Sequence, residues 1–191
     1  MKKRLTATLL TLAMSTPALA DDWGLFAGVD VAKPAADGKV AGNKLSLDND
    51  WRANGYLAVE HGIIFLPNVK LAYSDLDGKG KTNSTDVTLG MSSFDGILYY
   101  QLFDNGLFEA DFGLNLKYVS GDLHTTSNTH FSSTIPQAYG AAKLHIPNTG
   151  ISVFSELTAG SVTDDEIVDG LIGLSYAFNP DGLSKFKLRS G

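Results

Sequence analysis

The feature that most constrains this chain is a strict alternation of apolar and polar residues. It is clearest in FEADFGLNLKY, residues 108–118, where every even position is apolar and every odd position is polar or glycine. Successive side chains of a β-strand point to opposite faces, so a period of two predicts a strand with one apolar face and one polar face.

The same alternation recurs along the chain, and no segment has a convincing helical period. The predicted strands are 23–31, 51–60, 68–75, 94–102, 108–118, 134–146, 151–160 and 168–178. An earlier start of the fourth strand, near Asp86, would require a bulge around Ser92 to reset its phase. Short turns such as Asp104-Asn105-Gly106 alternate with longer polar connections. The long connections are 32–50, 76–85 and 120–133. This order predicts an up-and-down meander.

Composition narrows the class of protein. The 191 residues are enough for one domain, and 43% are hydrophobic against 19% charged, which argues against disorder. The absence of cysteine excludes a disulfide scaffold and any thiolate metal site or nucleophile. Twenty glycines suit tightly curved β structure. A formal net charge of −6 argues against nucleic-acid binding by charge.

Residues 1–20, MKKRLTATLLTLAMSTPALA, have the pattern of a signal peptide. A basic start is followed by an apolar stretch and by Ala18-Leu19-Ala20, a small-x-small cleavage site. The apolar stretch is shorter than the roughly 20 residues of a transmembrane helix. We therefore expect cleavage after Ala20 and export of residues 21–191, in a bacterial style. The alternative is an uncleaved amphipathic helix.

Two architectures suit strands with one apolar face: a soluble lipocalin-like barrel or sandwich, and an outer-membrane barrel whose apolar face meets lipid. The length of the 108–118 strand favours the second, since bilayer strands need roughly 9 to 11 residues. Aromatic residues at both ends of the apolar faces also favour it. The predicted aromatic girdle is Trp23, Tyr100, Phe108 and Phe178 near the short turns, and Trp51, Tyr73 and Tyr118 near the long connections.

The polar faces carry charges of both signs, which can pair inside a narrow barrel. The predicted lumen-facing ion-pair network is Arg52, Glu60, Lys70, Asp95, Glu109, Asp111, Lys117, Lys143, Glu156 and Asp169. The predicted fold class is all-β, a transmembrane up-and-down antiparallel β-barrel of about 8 to 10 strands. A barrel of that size is filled by its own side chains, so we expect an ion-paired interior without a wide pore.

Four stretches carry a resemblance to a known family: VEHGIIFLPNVKLAYSDL (59–76), LYYQLFDNGLFEADFGLNLKYVSGDL (98–123), IPQAYGAAKLHIPNTGISVFSEL (135–157) and VDGLIGLSYAF (168–178). They resemble a small outer-membrane β-barrel family of Gram-negative bacteria, akin to the OmpA, OmpX and OmpW barrels. The resemblance implies an outer-membrane barrel without an established enzymatic activity or ligand. It carries over no functional residues.

The end of the chain departs from that family. The family pattern continues past KFKLRSG through a further strand pair to a terminal aromatic residue, whereas this sequence ends at Gly191. A ninth strand from near Ser184 would leave the strand count odd. We therefore expect either a truncation at Gly191 or a barrel closed by the eighth strand, with 179–191 as a tail. The ending Tyr176-Ala177-Phe178 resembles the signal that barrel-assembly machinery recognises.

One loop resembles a calcium site in part. Asp75, Asp77, Gly80 and Asp86 match four positions of an EF-hand loop, but Lys79 stands at a ligand position and no flanking helices are predicted. A solvated loop is the preferred interpretation, and we predict no metal site.

Two other groups could carry chemistry. His124 and His130 share a connection with Ser and Thr residues, which could be a metal site or a catalytic pair, but loop polarity is the preferred interpretation. Glu109 and Asp111 lie two apart on one face, a spacing that suits acid–base catalysis. Inside a narrow barrel, ion pairing with a basic side chain is the preferred interpretation.

The sequence thus predicts a structural or surface-interaction role for an outer-membrane barrel that is not an enzyme and binds no cofactor. Expected partners are outer-membrane lipid and, during biogenesis, the barrel-assembly machinery and periplasmic chaperones, but not nucleic acid. The long connections would face outside, and those at 32–50 and 120–133 could contact an unknown surface ligand. The alternatives are a narrow channel for small solutes, a soluble periplasmic lipocalin-like binding barrel and a lipid-modifying enzyme.

Overall fold

The structure is a computed structural model, and it describes residues 23–32, 37–40, 43–47, 51–75, 77–82, 85–124, 128–162, 165–178 and 184–191. The predicted signal peptide, residues 1–20, lies outside the described residues. Every regular element within them is a β-strand. The strands are β1 (Gly24–Ala32), β2 (Asp37–Val40), β3 (Asn43–Leu47), β4 (Arg52–Glu60), β5 (Asn68–Asp75), β6 (Gly78–Thr82), β7 (Thr85–Asp104), β8 (Phe108–His124), β9 (Asn128–His145), β10 (Ile151–Val162), β11 (Asp165–Phe178) and β12 (Ser184–Ser190).

Nine of these strands close into a barrel, in the order β1-β4-β5-β7-β8-β9-β10-β11-β12 and back to β1. Neighbours are antiparallel except at the closing seam between β1 and β12, which pair in parallel from Leu25 with Ser184 to Val31 with Ser190. An up-and-down order with an odd strand count gives the first and last strands the same direction, so the seam must be parallel. The predicted all-β barrel of 8 to 10 strands is confirmed.

The seam overturns one of the two alternatives for the end of the chain, in which the eighth strand closes the barrel and 179–191 is a tail. Ser184–Ser190 is instead a ninth barrel strand between β11 and β1. Its segment, SKFKLRS, alternates like the others, with Phe186 and Leu188 exposed and Arg189 buried. The β11–β12 ladder runs from Leu174 to Phe178 on β11.

Three predicted long connections contain strands, which is a second correction. Within 32–50 lie β2 and β3, and within 76–85 lies β6, which forms a hairpin with the start of β7. Most of 120–133 belongs to β8 and β9, which pair as far as His124 with Asn128. Strands β2, β3 and β6 extend the sheet beyond the barrel wall at β7. These three strands are only four or five residues long, so their alternation is too short to stand out within polar segments.

The predicted bulge around Ser92 is wrong. β7 keeps one register against β8 from Thr88 to Gln101, and the irregularity falls between Gln101 and Phe103. On the other side, β6 and β5 pair with β7 in a common register. Near the junction of β5 and β6, the Asp77 carboxylate accepts the Met91 amide N–H at 2.8 Å.

The hairpin turn at Asp104-Asn105-Gly106 shows why those residues terminate two strands. Gly106 has a φ of 75°, in the left-handed region that glycine adopts without strain. The Asp104 carboxylate accepts the Gly106 N–H at 2.8 Å, and the Asn105 side-chain oxygen accepts the Leu107 and Phe108 N–H groups at 3.0 and 2.7 Å. These bonds satisfy backbone donors that the ladder leaves free.

Within the residues that the structure describes, no helix is long and apolar enough to cross a membrane.

Candidate functional site

The barrel interior is polar and its exterior is apolar, which is the reverse of an ordinary soluble core. On β8, Leu114 on the exterior is 67% exposed, whereas Asn115 on the interior is 3% exposed. The buried polar side chains are Asp30, Asn68, Lys70, Ser93, Asp95, Glu109, Asn115, Gln137, Ser152, Ser175 and Arg189. Buried polar and charged groups are the ones able to bind or react, so the barrel interior is the candidate site.

The first interior cluster joins four charged residues from four strands. Both carboxylate oxygens of Glu156 on β10 accept hydrogen bonds from the Lys70 ammonium on β5, each at 2.7 Å. Arg189 on β12 donates from Nη1 to the same Glu156 carboxylate. Its Nε and Nη2 form a fork on the Asp30 carboxylate of β1, with Nη2 and Oδ2 2.7 Å apart. Two cations face two anions, so the cluster is neutral although it is largely buried.

Aromatic rings surround this first cluster. The Arg189 guanidinium lies 4.4 Å from the ring centroids of both Tyr56 and Phe154, and the Lys70 ammonium lies 4.9 Å from that of Tyr56. Rings attract cations through their negative faces and exclude water at the same time. The rings thus hold both basic side chains in place and strengthen their pairing with the acids.

The second interior cluster lies around Asp95 on β7. The Asn115 amide donates to Asp95 at 2.6 Å and to the Gln137 side-chain oxygen at 2.9 Å. Gln137 in turn donates to Asp169 at 3.2 Å. The Lys117 ammonium lies 3.2 Å from Asp95 and 3.5 Å from Asp169. The network crosses β7, β8, β9 and β11, and so ties opposite sides of the barrel wall together.

The third interior cluster lies toward the short-turn end. One carboxylate oxygen of Glu109 on β8 accepts a hydrogen bond from the Lys143 ammonium. The other oxygen lies 3.2 Å from the His145 Nε2. The Tyr99 hydroxyl nearby donates to Glu60 at 2.8 Å. The Asp111 Oδ1 atom is buried and has no hydrogen-bond partner among the described residues.

The structure brings most of the predicted ion-pair network together inside the barrel. Lys70, Asp95, Glu109, Lys117, Lys143, Glu156 and Asp169 all have charged partners there. Glu60 accepts a hydrogen bond from the Tyr99 phenol, and Arg52 pairs at 3.4 Å with Asp75, which lies outside the predicted set. Asp111, the last predicted member, has the buried Oδ1 atom described above, which lacks a hydrogen-bond partner among the described residues.

Asp30 and Arg189 are the interior ion pair that sequence reasoning missed. The alternation of Lys185, Lys187 and Arg189 with Phe186 and Leu188 could have identified the second of them, because it is the same period of two that marks the other strands. Asp30 lies on the predicted polar face of its strand, but nothing near it in the sequence indicates that Arg189 is its partner.

The rings and ion pairs leave little free space in the lumen. One cavity within the lumen measures about 30 Å³, and its lining residues include Tyr56, Tyr99, Tyr139 and Phe154. The Tyr99 and Tyr139 rings beside it pack against each other, with their centroids 5.9 Å apart. A volume of that size holds about one water molecule. The interior described here is therefore packed rather than open.

A second, open cleft of about 330 Å³ lies beyond the barrel wall at the long-connection end. Its lining includes Asp75, Asp77, Asp122 and His130. The His130 Nδ1 lies 3.1 Å from the Asp122 carboxylate, and both side chains are more than half exposed. Among the described residues, no group of three or more His, Cys, Asp or Glu side chains could hold a metal ion. Gly80 of the partial EF-hand pattern lies on the β6 strand and not in a calcium-binding loop.

The aromatic residues predicted as a girdle all project from the exterior. Their exposed fractions are Trp23 59%, Trp51 66%, Tyr73 53%, Tyr100 43%, Phe108 38%, Tyr118 48% and Phe178 47%. At the long-connection end, Tyr73 pairs with Phe94, and Phe94 pairs with Tyr118 on the next strand. At the other end, the Phe178 ring lies 4.8 Å from Tyr176 and 5.8 Å from Phe186. Each end of the wall thus carries a row of rings.

Fold and site together define a closed nine-stranded β-barrel with an apolar exterior and an ion-paired interior. The sequence matches no model of a known protein family and no curated protein.

Proposed function

We propose that this protein is an outer-membrane β-barrel whose exterior contacts lipid and whose packed interior gives it a structural or surface-interaction role. The observation that carries the proposal is the inverted distribution of polarity. Large apolar side chains such as Leu114, Leu157 and Ile172 are more than half exposed, while charged side chains are buried. Monomeric proteins in water rarely expose contiguous apolar patches above a few hundred Å².

The dimensions of the wall support the same proposal. From Phe108 to Tyr118, the apolar exterior of β8 runs between two aromatic residues, a length that suits the roughly 9 to 11 residues of a tilted bilayer strand. Closure through the β1–β12 seam matters as well, because an open sheet edge in lipid would leave backbone groups without partners. The predicted signal peptide would supply the route of export.

The packed lumen favours a structural or surface role over the alternatives. A lumen cavity of about 30 Å³ is far smaller than the roughly 300 Å³ of a small-molecule pocket, which argues against a lipocalin-like ligand chamber and against an open channel. The prediction that the protein is not an enzyme stays a prediction. Insertion of such a barrel would depend on the barrel-assembly machinery and periplasmic chaperones.

Fractionation and gel mobility test the proposal. Expressed in a Gram-negative host, the chain should sediment with the outer membrane, and its band on SDS gels should shift when the sample is boiled, because a folded membrane barrel resists SDS at low temperature. A chain that appears in the periplasmic extract, monodisperse without detergent and with the same mobility before and after boiling, would contradict it.

A further inference from the structure

The turn between β4 and β5 is strongly apolar and strongly exposed. Its sequence is His-Gly-Ile-Ile-Phe-Leu-Pro, residues 61–67. The exposed fractions are 50% for Ile63, 67% for Ile64, 92% for Phe65 and 49% for Leu66. Phe65 is thus almost fully exposed, and it lies between other exposed apolar side chains. Turns in contact with water are normally built from polar residues and glycine.

The turn has a defined conformation, and several of its backbone groups are already satisfied. The Ile63 N–H donates to the His61 Nδ1 at 3.2 Å, and the Leu66 N–H donates to the Ile63 carbonyl at 3.1 Å. The His61 N–H donates to the Asn68 side-chain oxygen at 2.9 Å. Pro67 has no N–H to satisfy. Such internal pairing lowers the cost of moving backbone out of water.

The turn is also continuous with the apolar exterior. The Tyr100 hydroxyl, on the outside of β7, donates to the Phe65 carbonyl at 3.3 Å. On the other side, the Trp23 and His61 rings lie 5.4 Å apart. Both Tyr100 and Trp23 belong to the exterior aromatic residues at the short-turn end. The turn is therefore held against the outer wall of the barrel.

The other described turns at this end differ in composition. Residues 105–107 are Asn-Gly-Leu and residues 147–150 are Pro-Asn-Thr-Gly. The second of these turns is closed by the Thr149 hydroxyl, which donates to the Ile146 carbonyl at 2.8 Å. The apolar character therefore belongs to the 61–67 turn and is not a general property of the short-turn end.

We infer that residues 63–66 insert into the adjacent lipid leaflet and anchor the barrel at a fixed depth. The partner is the acyl-chain boundary of a phospholipid leaflet, because these four side chains offer apolar surface and no charge. This inference rests on the proposed function, since it requires the exterior wall to contact lipid. A protein docked on the same turn is the competing occupant.

Site-directed spin labelling can test this, since the native chain contains no cysteine. Single-cysteine variants Phe65→Cys, Leu114→Cys and Pro147→Cys are labelled with a nitroxide and reconstituted as the full chain into phosphatidylcholine vesicles. Leu114 reports on the middle of the wall, and Pro147 is the matched control in a polar turn at the same end. All three side chains are exposed, so none of the substitutions opens the interior. Collision with oxygen is compared with collision with a water-soluble nickel chelate.

The inference predicts that the ratio of oxygen to nickel-chelate collisions at Phe65 exceeds the ratio at Pro147 several-fold and approaches that at Leu114. A Phe65 label that collides with the chelate as freely as the Pro147 label, while the Leu114 label is shielded, overturns the inference and leaves the proposed function standing. A Leu114 label open to the chelate overturns both.

Discussion

Arg189 on β12 and Asp30 on β1 form a forked ion pair across the parallel seam of the barrel, with Nη2 and Oδ2 2.7 Å apart. Asp30 and Arg189 are also direct register partners in the β1–β12 ladder. Their side chains are only 10% and 6% exposed. The seam is therefore joined by backbone bonds and also by a buried, bidentate charge pair, which is the strongest kind of side-chain hydrogen bonding.

Removal of Arg189 should weaken the barrel strongly. The Arg189→Met variant keeps an apolar stem but leaves Asp30 without its cation, and loss of one partner of a buried pair costs about 3–5 kcal/mol. The control is Arg52→Met, whose single contact with the half-exposed Asp75 is worth about 0–1 kcal/mol. The free energy of unfolding is measured by urea titration in lipid vesicles. Equal losses of unfolding free energy in the two variants would show that the seam pair stabilises the barrel no more than the Arg52–Asp75 pair does.

Gly113 should not tolerate a methyl group. A Cβ there would collide with the Leu98 carbonyl oxygen and lie 2.6 Å from the Tyr99 Cα, whereas a Cβ at Gly140 would have nothing within 4 Å. We expect Gly113→Ala to lose about 1–3 kcal/mol of unfolding free energy through overpacking. Gly140→Ala should be neutral or slightly stabilising, because glycine weakens a strand interior. The same urea titration compares them, and a harmless Gly113→Ala would contradict the close packing of β7 on β8.

An arginine in the middle of the exterior separates lipid from water as the surrounding medium. Leu114 is 67% exposed, so Leu114→Arg should be harmless in a soluble barrel but should cost roughly 2–4 kcal/mol at the bilayer midplane. Ser132→Arg is the control. Ser132 is exposed, and it lies two residues from Thr134, the partner of Tyr118, on the side toward the long connections. Unfolding in vesicles measures both. Identical stabilities would refute contact of Leu114 with lipid.

The packed lumen predicts little ion flow. In planar bilayers, the native protein should show no conductance of nanosiemens size, because the cavity of about 30 Å³ admits about one water molecule. The double substitution Tyr99→Ala with Tyr139→Ala removes the ring pair beside the cavity and should raise the conductance above the native value. Large, stable openings of the native protein would instead support a channel.

The assignment of side chains to the two faces was available from the sequence. Tyr56 and Phe154 are aromatic, yet their positions in the alternation put them on the polar face, and both are buried inside the barrel. The reverse holds for Leu114 and Ile172, which are exposed. Such predictions succeed because the side-chain period of a strand is a local property of the backbone.

Partners across the barrel could not be read in the same way. Nothing local to Lys70 indicates Glu156, 86 residues away, or shows that Asn115 would join Asp95 to Gln137. The strands β2, β3 and β6 were missed for a different reason, since each is only four or five residues long and pairs beyond the barrel wall.

By itself, the sequence determined that this chain is an all-β barrel, and it determined which side chains lie on which face. Only the tertiary structure decided that nine strands close the barrel, that the seam between β1 and β12 is parallel, and that Arg189 neutralises Asp30 there. The physical reason is that alternation is set by neighbouring residues, whereas strand number, register and ion pairing depend on how distant strands meet when the sheet closes.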